Sequence, residues 1–222
     1  RGAHVLVEKP MALASTDCEH MVEASTKFNK KLGVMHNQIF NPAFEKACDI
    51  VKSGKIGRFL GMRILLATSI HDMVDDKNHW AHRLPGGIIS ETAPHAVYLS
   101  LALLDKVKEV HVSCKKLFPS FDWSIAEDYR FDLIADNAIS SVSLIYGTDQ
   151  AGADIDIFCT KGHLKVDLQT RNVVSQNRFQ GSSYIEDKEV ARSVLTNVFQ
   201  TSLSFISNGI KYLFSKNLDC HY

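Results

Sequence analysis

Three groups of residues in this sequence have the types and spacing to do chemistry. The first is Glu8-Lys9-Pro10, which closes the apolar run HVLVEK. Ligands of open parallel sheets gather beyond the carboxyl ends of the strands, so a lysine at such an end is placed for proton transfer. Pro10 fixes the local backbone and is a position for a cis peptide. The plainer alternative is a solvated lysine in a strand-to-helix loop. The second group lies in PGGIISETAPH, residues 85–95. Ser90 is placed to cap a helix, which puts Pro94 in the first turn, where its missing N–H costs nothing. Glu91 and His95, four apart, then share one helical face. A carboxylate beside an imidazole can orient it and tune its pKa, and a surface Glu–His pair is the competing reading. Gly86-Gly87 allows a ligand or neighbouring element to approach closely. The third group is the stretch with His71, His79 and His82 among Asp72, Asp75 and Asp76. His79-x-x-His82 with no clear third ligand at short spacing is weak ground for a metal centre. Trp80 and Arg83 beside these histidines fit the polar and aromatic lining of a sugar-sized pocket, with a solvated loop as the alternative.

Composition narrows the partner classes. Lys+Arg and Asp+Glu number 25 each, so the chain lacks the positive field that nucleic acid or an anionic membrane requires. The cysteines, Cys18, Cys48, Cys114, Cys159 and Cys220, are scattered and include no CxxC. That argues against a disulfide framework or zinc ribbon and fits reduced thiols in a cytoplasmic protein. The longest nearly apolar run, AVYLSLALL at 96–104, is too short to span a bilayer. No signal-like segment opens the chain, which says nothing about export if the chain continues upstream. GKIGRFLG at 54–61 lacks GxGxxG spacing, and no GxxxxGK[ST], HExxH or nucleophile elbow is present.

The elements that must position these groups follow from periodicity. HVLVEK reads as a strand buried on both faces. Ser15 or Thr16 then caps a helix whose apolar stripe is Met21, Val22, Ala24 and Phe28. KLGVMHNQIF, 31–40, reads as a second strand, and strand–helix–strand requires a parallel pair. Two strands do not make a stable sheet, so more are expected upstream of Arg1. Asn41 and Pro42 start the next helix, with Phe44, Ala47, Ile50 and Val51 inward and Gly54 and Gly57 at its end. FLGMRILLAT is a strand, 69–85 is a loop, and 86–104 becomes a helix. From 107 the period changes to two, and six short runs up to NVVSQNRF read as an antiparallel sheet, with turns at 136–137 and 161–162. A last helix carries Leu195, Val198, Phe199, Leu203, Ile206, Ile210 and Leu213 on one face, which should bury on the sheet. The end, KNLDCHY, has no terminal signature, so the chain is expected to continue there too. The predicted class is an α/β remnant followed by an α+β domain on a mainly antiparallel sheet.

In this order the clusters resemble the glucose-fructose oxidoreductase/inositol dehydrogenase (Gfo/Idh/MocA) family. GAHVLVEKPMA resembles its signature strand and Glu-Lys-Pro turn. GVMHNQIFNPAFEKACDIVKSGKIGRFLGMRI is similar to its second strand, linker helix and first C-terminal strand, and PGGIISETAPHAVYLSLALL to its Gly-Gly, acid, four-residue step and His. The resemblance implies the end of a Rossmann domain at 1–40 and a substrate-binding and oligomerisation domain with an open sheet at 41–222. It implies NAD or NADP as cofactor and a sugar, cyclitol or related polyol as substrate, with homodimers or homotetramers formed through the sheet face. Carried onto this sequence, Lys9 would bind the reacting oxygen, His95 would be the general acid/base, and Glu91 would take the place of the family's usual aspartate. Glu8, Pro10 and Asn37 would shape the nicotinamide end. Glu91 and Pro94 depart from the common pattern, and Gln38 and Ile39 stand where many members have arginine. The GxGxxG turn is expected before Arg1. A non-catalytic relative acting as a sensor or structural oligomer, and a metal-dependent hydrolase using the loop histidines, are the competing functions.

Overall fold

The computed structural model describes residues 2–176 and a discontinuous set of helical residues between 192 and 210. Its first unit is small. β1 (Val5–Glu8) and β2 (Leu32–Met35) pair in parallel, with Glu8 opposite Met35, and α1 (Ser15–Lys27) crosses between them. This is the expected βαβ unit, with three corrections. The second strand stops at Met35, and the chain tightens into a 3-10 turn at Asn37–Phe40. The helix is entered one residue earlier than expected, from the extended backbone of Ala14, so neither Ser15 nor Thr16 caps it. α1 buries no residue, and Leu6, Leu13, Val22 and Phe28 are all more than half exposed. A pair of strands offers too little surface to cover a helix and both faces of its own sheet.

The second unit is a seven-stranded sheet in the order β4-β5-β6-β3-β7-β8-β9. Its strands are β3 (Phe59–Ser69), β4 (Val107–Lys115), β5 (Asp128–Ala135), β6 (Ile139–Thr148), β7 (Gly152–Cys159), β8 (Gly162–Asp167) and β9 (Asn172–Gln176). Every neighbouring pair is antiparallel except β3 with β6. β6 and β7 follow one another in sequence yet are not neighbours, because β3 lies between them. Turn chemistry reports only pairs close in the chain, so this insertion left no local signal. Ile64, Leu144, Ile155, Ile157 and Leu164 form one core with Phe44 and Leu99 of two helices. The opposite sheet face is polar, with Arg63 paired to Asp156 at 2.7 Å.

α2 (Pro42–Lys52) starts as the sequence predicts: the Asn41 side chain accepts the Ala43 N–H, and Pro42 takes the first helical position. The helix lies on β8 and β9. The Asn41 amide also donates to the Leu168 carbonyl at 2.8 Å, tying the helix start to the β8–β9 turn. Beyond α2, Gly57 has φ +83°, and a Cβ there would sit 2.1 Å from Thr160 Oγ1 and 3.0 Å from the Lys161 nitrogen. Gly57→Ala is therefore expected to lower stability by about 1–3 kcal/mol. Urea unfolding reads this as an earlier midpoint with an unchanged slope, and a wild-type midpoint would disprove it.

The stretch 69–85 is more ordered than a loop. It holds α3 (Ile70–Met73) and a 3-10 turn at Trp80–Arg83. Val74 and Ala81 are fully buried, and Trp123 Nε1 donates to the Val74 carbonyl at 2.9 Å. The polar letters that suggested a solvated loop conceal these two anchors. The final helix also departs from expectation. Its described apolar residues Leu195, Val198, Phe199, Leu203, Ile206 and Ile210 are at least half exposed. Thr201 and Phe205 line a space over the sheet together with the charged Asp154, Asp156, Lys165 and Asp167 and the apolar Ile155, Val166 and Val174. Leu213 and the rest of that expected helix lie outside the described residues. Among the described residues, no helix is long and apolar enough to cross a membrane.

Candidate active site

The site is built where β1 ends, where β2 turns, and along one helix. β1 delivers Lys9, whose peptide bond to Pro10 is cis. The helix is α4 (Ile89–Leu101), packed on β3 and β6. Its N-cap is Ile88 with no side-chain cap, so Ser90 lies inside the helix and its hydroxyl instead donates to the Pro85 carbonyl. Pro94 is then interior rather than in the first turn, and it has no N–H to give the Ser90 carbonyl. The reason for the shift lies upstream. Gly86 and Gly87 hold φ +87° and +73°, a left-handed turn that suits glycine and launches the helix earlier than a serine cap would.

Glu91 and His95 share a face of α4 as the spacing predicts, and Lys9 reaches them from 82 residues away. Its Nζ donates to Glu91 Oε1 at 2.5 Å and to the Glu91 carbonyl at 2.8 Å. The Lys9 and Glu91 side chains are 11% and 23% exposed. Two of the three ammonium hydrogens are thus engaged, and the third has no partner among the described residues. His95 Nδ1 lies 2.5 Å from the Tyr98 hydroxyl, which also bonds Asn37 Oδ1 at 3.1 Å and accepts the Gln38 N–H at 3.2 Å. The His36 ring stacks on Tyr98, centroids 4.4 Å apart. Burial, then the nearby Lys9 charge, pushes the His95 imidazole down to about 4, and burial pushes the Tyr98 hydroxyl up to about 12. His95 is therefore neutral at pH 7.

His95 lines a cavity of about 320 Å³ between α4, the end of β3 and the start of β7. Gln38, Thr68, Thr92 and Gln169 supply further neutral polar groups, and Leu66 and Leu99 supply apolar wall. On the other side of α4 lies an apolar groove of about 490 Å³ lined by Pro10, Leu13, Ile89, Ala93 and Val97 among others.

The structure thus brings Lys9, Glu91, His95 and Asn37 together, with Asn37 turned to Tyr98. Glu8 is exposed at the strand end. Trp80 and Arg83 are exposed on their 3-10 turn and line neither space. The histidines beside them have local partners: His82 Nε2 meets the Met73 carbonyl at 2.9 Å, and His79 accepts the Ala81 N–H. Among the described residues, no three His, Cys, Asp or Glu side chains are gathered to hold a metal ion. Sequence reasoning missed Tyr98, His36, Thr92 and Gln169. Tyr98 stands three residues after His95, a helical-neighbour spacing that carried the signal; Gln169 comes from a distant turn and carried none.

A βαβ end joined to an open, mainly antiparallel α+β sheet, with a lysine, an acid and a histidine meeting at their junction, defines a class of protein by fold. The chain belongs to the GFO/IDH/MocA family: residues 44–165 match the model of its C-terminal domain. A curated relative, 1-carboxy-3-chloro-3,4-dihydroxycyclohexa-1,5-diene dehydrogenase of Comamonas testosteroni, is 30% identical over 112 residues, covering 50% of this chain and 28% of that protein. A probable dehydrogenase from Thermotoga maritima superposes with TM-score 0.67 at 20% identity, over 85% of this chain and 54% of that one. An inositol dehydrogenase homologue from Azotobacter vinelandii, solved with NADH and myo-inositol, gives 0.68 at 17% identity, over 84% and 52%. These structural likenesses establish the fold. The chain spans about half the length of those solved structures.

Proposed function

We propose that the protein carrying this chain is an NAD(P)-dependent oxidoreductase acting on a secondary hydroxyl of a sugar, cyclitol or related polyol. The convergence of Lys9 and Glu91 with His95, which lines the cavity, carries the reading. In it, residues 1–40 end the nucleotide-binding domain and 41–222 form the substrate domain. The carboxyl ends of the parallel strands β1 and β2, where Glu8, Lys9, Pro10 and Asn37 cluster, suit the nicotinamide end of the cofactor. When bound, the dinucleotide supplies the hydride acceptor. The chain's own residues orient the alcohol and handle its proton. His95, neutral at pH 7, takes the hydroxyl proton. The third N–H of Lys9 donates to the same oxygen as negative charge develops on it. Glu91 holds that ammonium with two acceptors, so it is aimed before substrate arrives. The described side chains that line the cavity are neutral, and Lys9, the cation of the site, is already paired with Glu91, which favours an uncharged polyol over a phosphorylated or carboxylated one.

Among the described residues the cysteines are unpaired, which supports the cytoplasmic setting. The polar open face of the sheet is the surface offered for the homodimer or homotetramer. The test is NAD(P)H formation by the full-length protein over a panel of polyols, where no turnover with any neutral polyol would refute the reading. The pH profile is a second check. The base must be unprotonated, and its pKa lies near 4. kcat/KM is therefore expected to fall only as pH drops through about 4, with no step near the ordinary histidine value of about 6.5. A step at the ordinary value that disappears in a His95 variant would show that the imidazole titrates unperturbed.

A further inference from the structure

We propose that Tyr98 is the positioning residue that holds His95 as its Nδ1–H tautomer, so that the Nε2 lone pair is the one offered to the cavity. The proposal rests on the dehydrogenase reading for its catalytic meaning, and on hydrogen counting for its content. The Tyr98 oxygen has one hydrogen to give and two lone pairs to receive. It has three partners: the Gln38 N–H at 3.2 Å, Asn37 Oδ1 at 3.1 Å and His95 Nδ1 at 2.5 Å. The Gln38 N–H can only donate. With the Asn37 oxygen facing the hydroxyl, that contact takes the single phenolic hydrogen. The remaining lone pair meets His95 Nδ1, which must then bring the hydrogen. A neutral imidazole carries only one N–H, so Nε2 is bare, and it has no partner among the described residues.

The surroundings hold this arrangement still. Tyr98 is 5% exposed, so water does not compete for its oxygen. His36 stacks on one face of the phenol with an interplanar angle of 19°. Asn37 and Gln38 belong to the 3-10 turn after β2, while His95 and Tyr98 belong to α4. The tautomer is therefore set by the docking of the nucleotide-side turn onto the substrate-side helix. A base taking a proton from an alcohol needs its lone pair on the cavity side, which is the state this network selects.

The experiment is a long-range proton–nitrogen correlation spectrum of the ¹⁵N-histidine-labelled chain at pH 7, with the His95 signals assigned by their loss in His95→Gln. The expected result is His95 protonated on Nδ1 in the wild type. Tyr98→Phe, which keeps the ring and removes the oxygen, should shift it toward the Nε2–H form that free imidazoles favour. In the full-length protein the same variant should lose about 100-fold or more in kcat with little change in KM, the behaviour of a base held in the wrong tautomer. A wild-type His95 protonated on Nε2, or a tautomer indifferent to Tyr98→Phe, would overturn the proposal even if the protein oxidises polyols. Nδ1 protonation would support it even if no turnover were found. The wild-type spectrum decides alone if Tyr98→Phe does not fold.

Discussion

In the full-length protein, His95→Gln is expected to lower kcat/KM for polyol oxidation by about 10²–10⁴-fold, the range spanned by a positioned acid or base. Lys9→Met should fall in the same range. His95 takes a proton that water at neutral pH takes poorly, and Lys9 supplies a donor at the oxygen where charge accumulates. Both act on one atom in one step, so the double variant should lose little more than the worse single one. The measurement is NAD(P)H absorbance under saturating cofactor, beside circular dichroism to confirm that each variant folds. His95 lines the cavity rather than the sheet core, so His95→Gln should keep the fold, whereas Lys9→Met unpairs the partly buried Glu91 and is compared only once circular dichroism shows it folded. Near wild-type turnover by either folded variant would remove the site as described. Fully additive losses would mean that the two groups act in separate steps.

Lys116→Met is expected to cost about 3–5 kcal/mol, the penalty for stranding one member of a buried ion pair. Glu127 is fully buried. Lys116 Nζ meets its Oε1 at 2.9 Å, while the Leu117 and Phe118 N–H groups donate to Oε2 at 2.7 and 3.2 Å. The same ammonium also donates to the Phe121 and Ser124 carbonyls, so one lysine closes the whole loop between β4 and β5. Burial pushes the Glu127 carboxyl up, but the lysine and the N–H donors outweigh it and hold the group below the usual carboxylate range. A depressed folded pKa contributes stability that is complete above the unfolded value of about 4.3. That contribution disappears as pH falls through the folded pKa. The gap between wild type and Lys116→Met should therefore be largest near neutrality and close in acid. Urea unfolding at several pH values reads both features. A gap under about 1 kcal/mol at pH 7, the worth of an exposed pair, would show that water reaches Glu127.

How legible all this was depended on the range of the signal. Asn41-Pro42 announced α2 because capping is written within three residues. The alternation from 107 onward announced the strands because burial on one face writes a period of two. Glu91 and His95 were visible as a pair because a helix brings every fourth residue round again. What failed was non-local. Ser90 looked like a cap, but the two left-handed glycines before it start the helix at Ile89. The insertion of β3 between β6 and β7 depends on pairings across more than seventy residues, such as Ile64 with Val142. Trp80 and Arg83 have the right chemistry for a sugar pocket, but their short turn is anchored through Val74 and Ala81 and leaves both in solvent.

The place of β3 has a temporal cost. It is the middle strand of its sheet but the first of the seven to be made. Its parallel neighbour β6 begins roughly seventy residues later, an interval of roughly 4–14 s at ordinary ribosomal rates of about 5–20 residues per second. Throughout that interval Met62, Ile64 and Leu66, all buried in the finished protein, have neither flank covered. The newborn polypeptide thus carries its stickiest ribbon in the open until the second half is translated, and a chaperone's most useful moment falls between those two events.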